Sequence, residues 1–366
     1  MRQPWIYSAV VDGVFILGTP FLITGAVFLF KDYFSPADSM TVVSWAILVM
    51  AVDVSHVYST IYRTYVDRDT MARHGLFLLL LPFAVLVTCI ALYAMGSMVF
   101  WRVMAYVAVF HFARQQYGFL RVYARHEAQA TWQRRIDALA IYAATFYPVI
   151  DWHLAGQKNF NWFMKGDFAY FVRPDYRIAA FAIYAAILGL YIVKEASLLL
   201  NQKPGIPRFN FPRNAIMAGT LLSWYVGIVY FNSDLAFTAI NVLSHGIPYI
   251  ALVWIYGRKK HGGTSTGGIL AVLFRPRYVA LFLLTLLFFA YIEEGLWDAW
   301  VWHEKNHRPL FDAFHALIGG AGPDSPYLRL LVPLLSVPQI THYVIDGFIW
   351  KMRRDNYGWR ETTLSS

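Results

Sequence analysis

Residues 75–97 read GLFLLLLPFAVLVTCIALYAMGS, with no charged side chain. A bilayer core about 30 Å thick needs about 20 mostly apolar residues at 1.5 Å of rise each. The stretch is therefore long enough to cross, and its reading decides the fold as an all-α membrane bundle. Working outward, similar stretches lie at 5–30, 40–62, 100–121, 137–153, 177–200, 213–231, 235–257, 277–300 and 327–350. Ten transmembrane helices in a single domain, residues 1–366, are expected. The assignment rests on length and hydropathy, because a helix surrounded by other helices need show no amphipathic period.

Composition agrees. Of 366 residues, 58% are hydrophobic and 14% charged, whereas a soluble domain carries about 25% charged residues. Mean hydropathy is +0.44. The formal charge of +9 gathers at span ends, where anionic leaflets favour it. No basic tract interleaves with exposed aromatics, which argues against nucleic acid as a partner. Arg63, Arg68 and Arg73 follow the second span, and Arg125, Arg134 and Arg135 the fourth. Lys203, Arg208 and Arg213 follow the sixth, and Arg258, Lys259, Lys260, Arg275 and Arg277 the eighth. The first, third and seventh connections are poor in basic residues; the fifth breaks the pattern with Lys158, Lys165 and Arg173. By the positive-inside rule both termini are expected to be cytoplasmic, in a cell or inner membrane. MRQPWIYSAVVDG runs into a long span without a small-residue cleavage site, so no cleaved signal peptide is expected. The single cysteine, Cys89, excludes an internal disulfide, a thiolate metal cluster and CxxC redox chemistry.

Two connections are long enough to fold as outer loops. Residues 154–176 are rich in aromatics, which suits headgroup depth. Residues 301–326 include FHALIGGAG, too short to span and expected to be a re-entrant or surface helix. HGGTSTGG, after the eighth span, reads as a flexible loop. The absence of a convincing internal repeat counts against repeat-built transporter folds.

Four histidines mark four of these spans: His56 in AVDVSHVYSTIY, His111 in AYVAVFHFARQQYGF, His245 in AINVLSHGIPYI and His342 in SVPQITHYVIDGFIW. All four spans run from outside to inside. The histidines precede the basic flanks at Arg63, Arg121, Arg258 and Lys351 by 7, 10, 13 and 9 residues. Those offsets put them roughly 10 to 20 Å above the cytoplasmic flank, at compatible depths. Ionisable groups at such depth cost a few kcal/mol each, so they usually face one another or a wet cavity. Residues three or four apart share a helical face, so Asp53 accompanies His56, and Gln339 and Asp346 accompany His342. Gln115 lies near His111 and Asn241 one turn before His245, as second-shell amides. The expected metal ligands are His56, His111, His245, His342, Asp53 and Asp346, on one ion or divided between two. Imidazole and carboxylate without thiolate suit iron, with copper, manganese or zinc as alternatives.

Blander readings stand beside these. A histidine in a helix bundle is commonly a hydrogen-bonded core residue, and Asp53 or Asp346 could pair with Arg114 or join a proton relay. Arg114 could instead hold a substrate carboxylate or phosphate with its planar fork, or snorkel to the headgroups. Asp12 is a weaker addition to the same cavity. His303-Glu304-Lys305-Asn306-His307 spells the HExxH of zinc proteases, but Pro309 follows almost at once and the neighbours are polar. An outer metal site of His303, His307 and His315 with Glu294 or Asp298 is a further option, set against a solvated loop. Glu293 and Glu294, near the outer end of the ninth span, read as an ion path or as interfacial caps.

Phosphate-binding glycine motifs, nucleophile elbows and dinucleotide fingerprints are absent, as is the HxxxH…HxxHH pattern of membrane fatty-acid desaturases. The expected function is a membrane metalloenzyme: an iron-dependent oxidase, oxygenase or desaturase acting on a lipid or other apolar substrate. Asp53 and Arg114 are the candidate catalytic side chains, and electrons would come from a separate donor. The alternatives are a haem-binding membrane protein and a proton- or ion-coupled transporter using the same residues.

Overall fold

The computed structural model describes residues 3–36, 40–200, 209–262, 268–319, 326–351 and 357–364. Most of the HGGTSTGG loop, Lys203, Arg208, Arg353 and Arg354 lie outside the described residues. Among the described residues all regular structure is helical. With short turns left unnumbered, the helices begin with α1 (Ala9–Leu17), α2 (Thr19–Leu29), α3 (Val42–Arg63) and α4 (Arg68–Ala94). Next come α5 (Ser97–Tyr123), α6 (Thr131–Ala155), α7 (Pro174–Leu200) and α8 (Phe211–Trp224), which continues as a π-turn over Tyr225–Tyr230. The last are α9 (Asp234–His261), α10 (Pro276–Trp302), α11 (Arg308–Ile318) and α12 (Leu328–Ile349).

Six of them, α3, α4, α7, α9, α10 and α12, are long and apolar enough to cross a membrane. The pair α1 and α2 makes a seventh if it counts as one span. That pair departs from the single helix expected over 5–30, being bent by 52°. A Cβ on Gly18 would stand 2.3 Å from the Gly13 carbonyl oxygen, and Pro20 has no amide proton to continue the ladder. The other expected spans are helical too, as α5, α6 and α8, but they are more polar. Arg102, Arg114 and Arg121 lie on α5, and Arg134, Arg135, Asp137 and Asp151 on α6. On α4 the exposed residues Leu76, Leu79, Leu80, Phe83 and Val87 recur at helical spacing, an apolar stripe suited to lipid.

The chain forms two compact units. The first comprises Met1–Ser39 and Ala105–Pro248, the second Met40–Met104 and Tyr249–Ser366.

In the first unit, Val109, Phe112, Val149, Trp152, Trp224, Ile228 and Phe237 form a core that also takes in Phe160 and Phe168. Those last two belong to the 154–176 connection, whose aromatics were expected at the interface. The Asp167 carboxylate accepts the amides of Trp162, Phe163 and Met164 at 2.9, 2.6 and 3.2 Å, tightening the loop into a turn. Phe160 and Phe168 are buried as a result, while Tyr170, Phe171 and Val172 stay outside. Asp12 also departs from expectation. Its carboxylate accepts the amides of Ile6, Tyr7 and Ser8 and the Tyr123 hydroxyl, so it ties down the chain before α1.

Where α6 begins, α7 ends and α8 begins, the first unit buries a charge network. Lys194 pairs with Asp137, both side chains being 0% exposed, and lies 2.5 Å from Glu195. Arg213 reaches Asp137 at 3.2 Å, Glu195 at 2.6 Å and Glu127 at 2.9 Å. Desolvating such ions costs several kcal/mol each, and opposite charge with good geometry offsets that cost. Removing one member leaves the others uncompensated. Asp137→Ala is therefore expected to destabilise the protein by about 3–5 kcal/mol, read by thermal unfolding in detergent; an unchanged melting temperature would show the network to be expendable.

The second unit packs Tyr62, Tyr249, Val253, Phe274, Phe282 and Leu286 together. Between α3 and α4, Asp67 caps α4 by accepting the Thr70 amide at 3.1 Å. It also accepts from Lys260 at 2.7 and 2.9 Å. Burial alone would raise the Asp67 carboxyl pKa, but the contacts with His261, Lys260 and the Thr70 amide outweigh it and hold it below the ordinary value. A depressed carboxylate pKa contributes stability that is fully present above the unfolded value and lost as pH falls through the folded value. Asp67→Asn should thus lower the melting temperature at neutral pH, and its cost should shrink as pH drops below about 4. Equal cost at pH 7 and pH 3 would contradict this account.

Candidate metal centre

In the second unit, His56 and His342 are brought together from α3 and α12. Their ring centroids stand 5.0 Å apart at 77°, and the residues are 1% and 2% exposed. His56 follows a π-helical stretch, Ala46–Val54, in which the Ser55 hydroxyl donates to the Met50 carbonyl at 3.0 Å. Widened turns of this kind occur often at functional sites. Asp53 lies within that stretch, with Oδ1 3.6 Å from His56 Nδ1. The expected pairing of Asp53 with His56 is present, although the local helix is not the α-form assumed for it.

His342 Nδ1 makes a 2.7 Å hydrogen bond with the Thr60 hydroxyl and lies 3.8 Å from Asp346 Oδ1. Thr60 in turn meets the Tyr249 hydroxyl at 2.8 Å. Tyr249 donates to Asp346 Oδ1 at 2.5 Å, and Trp350 Nε1 donates to the same oxygen at 3.3 Å. Thr60, Tyr249 and Trp350 were not among the expected site residues. Each lies four residues after one that was: Thr60 after His56, Tyr249 after His245 and Trp350 after Asp346. The one-turn spacing was the available signal. These neutral partners fix the orientation of His342 and Asp346.

In the first unit, His111 and His245 stand 5.0 Å apart between centroids at 75°. They are 5% and 1% exposed, and the His245 ring stacks on Phe112 at 3.5 Å and 8°. Gln115 donates to the His245 backbone carbonyl at 2.9 Å, so this amide supports the chain at His245 rather than its ring. Two other expected amides are placed elsewhere. Asn241 donates to the Phe237 carbonyl of its own helix at 3.0 Å, and Gln339 donates to the Tyr343 hydroxyl at 2.8 Å. Backbone and phenol compete for them because they are the nearest acceptors on the same turn.

Arg114 is exposed on α5, whereas His111 one turn earlier is buried. Its guanidinium donates to the Tyr142 hydroxyl at 2.7 Å and lies over the Tyr117 ring at 5.4 Å. Arg114 is thus held at the exposed surface by tyrosines, the outward placement among its expected readings, and not among the buried histidines.

His303 and His307 of the second unit lack the helical frame that HExxH chemistry requires. His303 has φ 51°, in the left-handed region, and α11 starts only at Arg308. His303 and His307 therefore do not share a helical face. His307 stacks on Trp45 at 4.1 Å, and His315 Nε2 meets Asp298 Oδ2 at 2.7 Å. Glu293 accepts from Tyr58 at 2.5 Å and from Trp297 at 3.3 Å.

No family model, curated protein or solved structure matches this chain. The function therefore has to be argued from the side chains.

The Tyr249 hydroxyl joins two polar groups that have little access to water. Tyr249→Phe keeps the ring and leaves Thr60 and Asp346 short of a partner, at an expected cost of about 1–3 kcal/mol. Thermal unfolding measures it, and a shift no larger than that of an exposed control such as Tyr230→Phe would contradict the assigned role.

Proposed function

We propose that the chain is an integral membrane metalloprotein of ten spans with both termini cytoplasmic, whose metal centre includes His56, His342, Asp53 and Asp346. The observation that carries this reading is the meeting of two buried imidazoles, His56 and His342, within the second unit, each with a carboxylate about one helical turn away. An imidazole whose Nδ1 is hydrogen-bonded to a hydroxyl is set up to ligate through Nε2, as metal-bound histidines commonly are; His342 and Thr60 fit that pattern. Two histidines with carboxylate and no thiolate match hard or borderline divalent ions, with iron the first candidate and manganese, zinc or copper behind it. His111 and His245 are proposed as ligands of a second ion within the first unit, on their burial and ring proximity.

Iron held by these residues would supply oxygen-activating chemistry, which suits an oxidase, oxygenase or desaturase acting on a lipid or other apolar substrate. The chain's own contribution is to hold the ligands. Thr60 and Tyr249 orient His342 and Asp346, and burial keeps bulk water from the site. Electrons would come from a separate donor protein, since no flavin or iron–sulfur motif is present. A directly ligated ion is favoured over haem, because the two rings of each pair meet nearly edge to face at 5.0 Å. That approach leaves no room for a macrocycle between them.

Metal analysis of detergent-purified protein, expressed with iron supplied, tests the proposal. Wild type is expected to carry iron near stoichiometry without a Soret band, and His56→Ala and His342→Ala to lose it. Loss of a second equivalent in His111→Ala and His245→Ala would assign the first unit a metal of its own. Protein free of transition metal that instead drives proton or ion flux in proteoliposomes would replace this reading with a transporter.

A further inference from the structure

Arg63 is a cation with 1% exposure at the end of α3. It donates to the Ile349 carbonyl, and its guanidinium lies over the rings of Trp350 at 3.7 Å, Tyr256 at 4.1 Å and Trp359 at 5.4 Å. A buried guanidinium stacked on aromatic faces is stabilised by the ring quadrupoles, and its planar shape makes the stack directional. Trp359 belongs to the C-terminal segment 357–364 and is 0% exposed. Gly358 takes φ +67°, a conformation strained for other residues, and turns the segment so that Trp359 enters. The segment is held along its length. The Tyr256 hydroxyl donates to the Tyr357 carbonyl at 3.4 Å, and Lys259 donates to the Thr363 carbonyl at 2.8 Å. His74 stacks on Tyr357 at 4.1 Å.

Trp350 connects this cluster to the candidate centre. One face of its indole carries Arg63, and Trp359 meets it edge to face at 4.9 Å and 90°. Its Nε1 donates to Asp346 Oδ1 at 3.3 Å, the oxygen that also accepts from Tyr249. The indole can keep that hydrogen bond only while its plane is held. The Tyr249 ring meets the indole from within the site at 5.8 Å, whereas Arg63 and Trp359 hold it from beyond the site, and Trp359 comes from the C-terminal segment.

We propose that Arg63 and Trp359 are positioning residues for Asp346, acting through the Trp350 indole, so that docking of residues 357–364 sets the geometry of the metal-binding carboxylate. This rests on the reading of Asp346 as a ligand. It adds that the segment after α12 is part of the centre's support, and that displacing the segment detunes the centre without touching a ligand.

Cobalt(II) titration of the metal-free, detergent-purified full chain tests it, with visible absorption reporting coordination geometry. Trp359→Ala is expected to weaken cobalt binding about tenfold, in line with the loss of a supporting partner, and to alter the absorption spectrum. Trp359→Phe, which restores an aromatic edge, should recover both. Trp350→Phe, which keeps the stack and removes the Nε1 proton, should resemble Trp359→Ala; it serves if the latter fails to fold. Wild-type affinity and spectrum in folded Trp359→Ala or Trp350→Phe would overturn the proposal.

A double-mutant cycle on the metal-free protein gives a readout independent of the metal. Trp359→Ala and Asp346→Asn should shift the melting temperature by less together than the sum of their separate shifts. Strict additivity would overturn the positioning role even if cobalt binds. If wild type binds no cobalt while the cycle is non-additive, the metal reading fails and the coupling of Trp359 to Asp346 stands.

Discussion

A charged or strongly polar side chain that leaves water inside a membrane protein has to find its partner within the chain. The two units meet that demand in different ways. Around Lys194 and Arg213 the partners are opposite charges, Asp137, Glu195 and Glu127, so the charge is answered locally. Around His342 and Asp346 the partners are a threonine hydroxyl, a phenol and an indole. Neutral partners orient a carboxylate and an imidazole without consuming their capacity to bind a cation. That difference in chemistry is why the first cluster reads as structural and the second supports a metal centre.

Local backbone form contributes to the same end. The π-helical run Ala46–Val54 leads directly into Ser55 and His56, and a further π-turn closes α10 at Asp298–Trp302. A π-turn widens the helix and shifts the angular position of everything after it. On α3 it leaves Asp53 3.6 Å from His56 while Thr60, four residues later, reaches His342. One helix therefore serves both the candidate ligand set and its support.

The stacked arginine belongs to this picture as well. Arg63 stands at the basic end of α3, yet it is buried among three aromatic rings. Burial of a guanidinium is tolerable there because the rings' faces and the Ile349 carbonyl answer it. The consequence is a packed junction at which α3, α9, α12 and the segment after α12 meet.

Helical class, the approximate place of each helix and the length and apolarity of those able to cross a membrane were legible in residues 75–97 and their counterparts, because these properties belong to a window that needs no knowledge of neighbours. The pairing of Asp53 with His56 and of Asp346 with His342 was legible for a similar reason, since one-turn spacing is a local property. The partners of His342 were not. Thr60 and Tyr249 come from other helices, and a hydroxyl in a span carries no mark of what it will face. Arg114, Asn241 and Gln339 looked like members of the site by proximity in the chain, but Arg114 is exposed with Tyr142 as its partner, and acceptors on their own helices took the two amides. The charge network of Lys194 was invisible for the same reason, because Asp137, Lys194 and Arg213 sit on three helices whose adjacency no sequence window contains. By itself the sequence determined the solvent each segment must meet and the faces its residues share; packing between helices decided which buried groups became partners, because that depends on side chains brought together from distant parts of the chain.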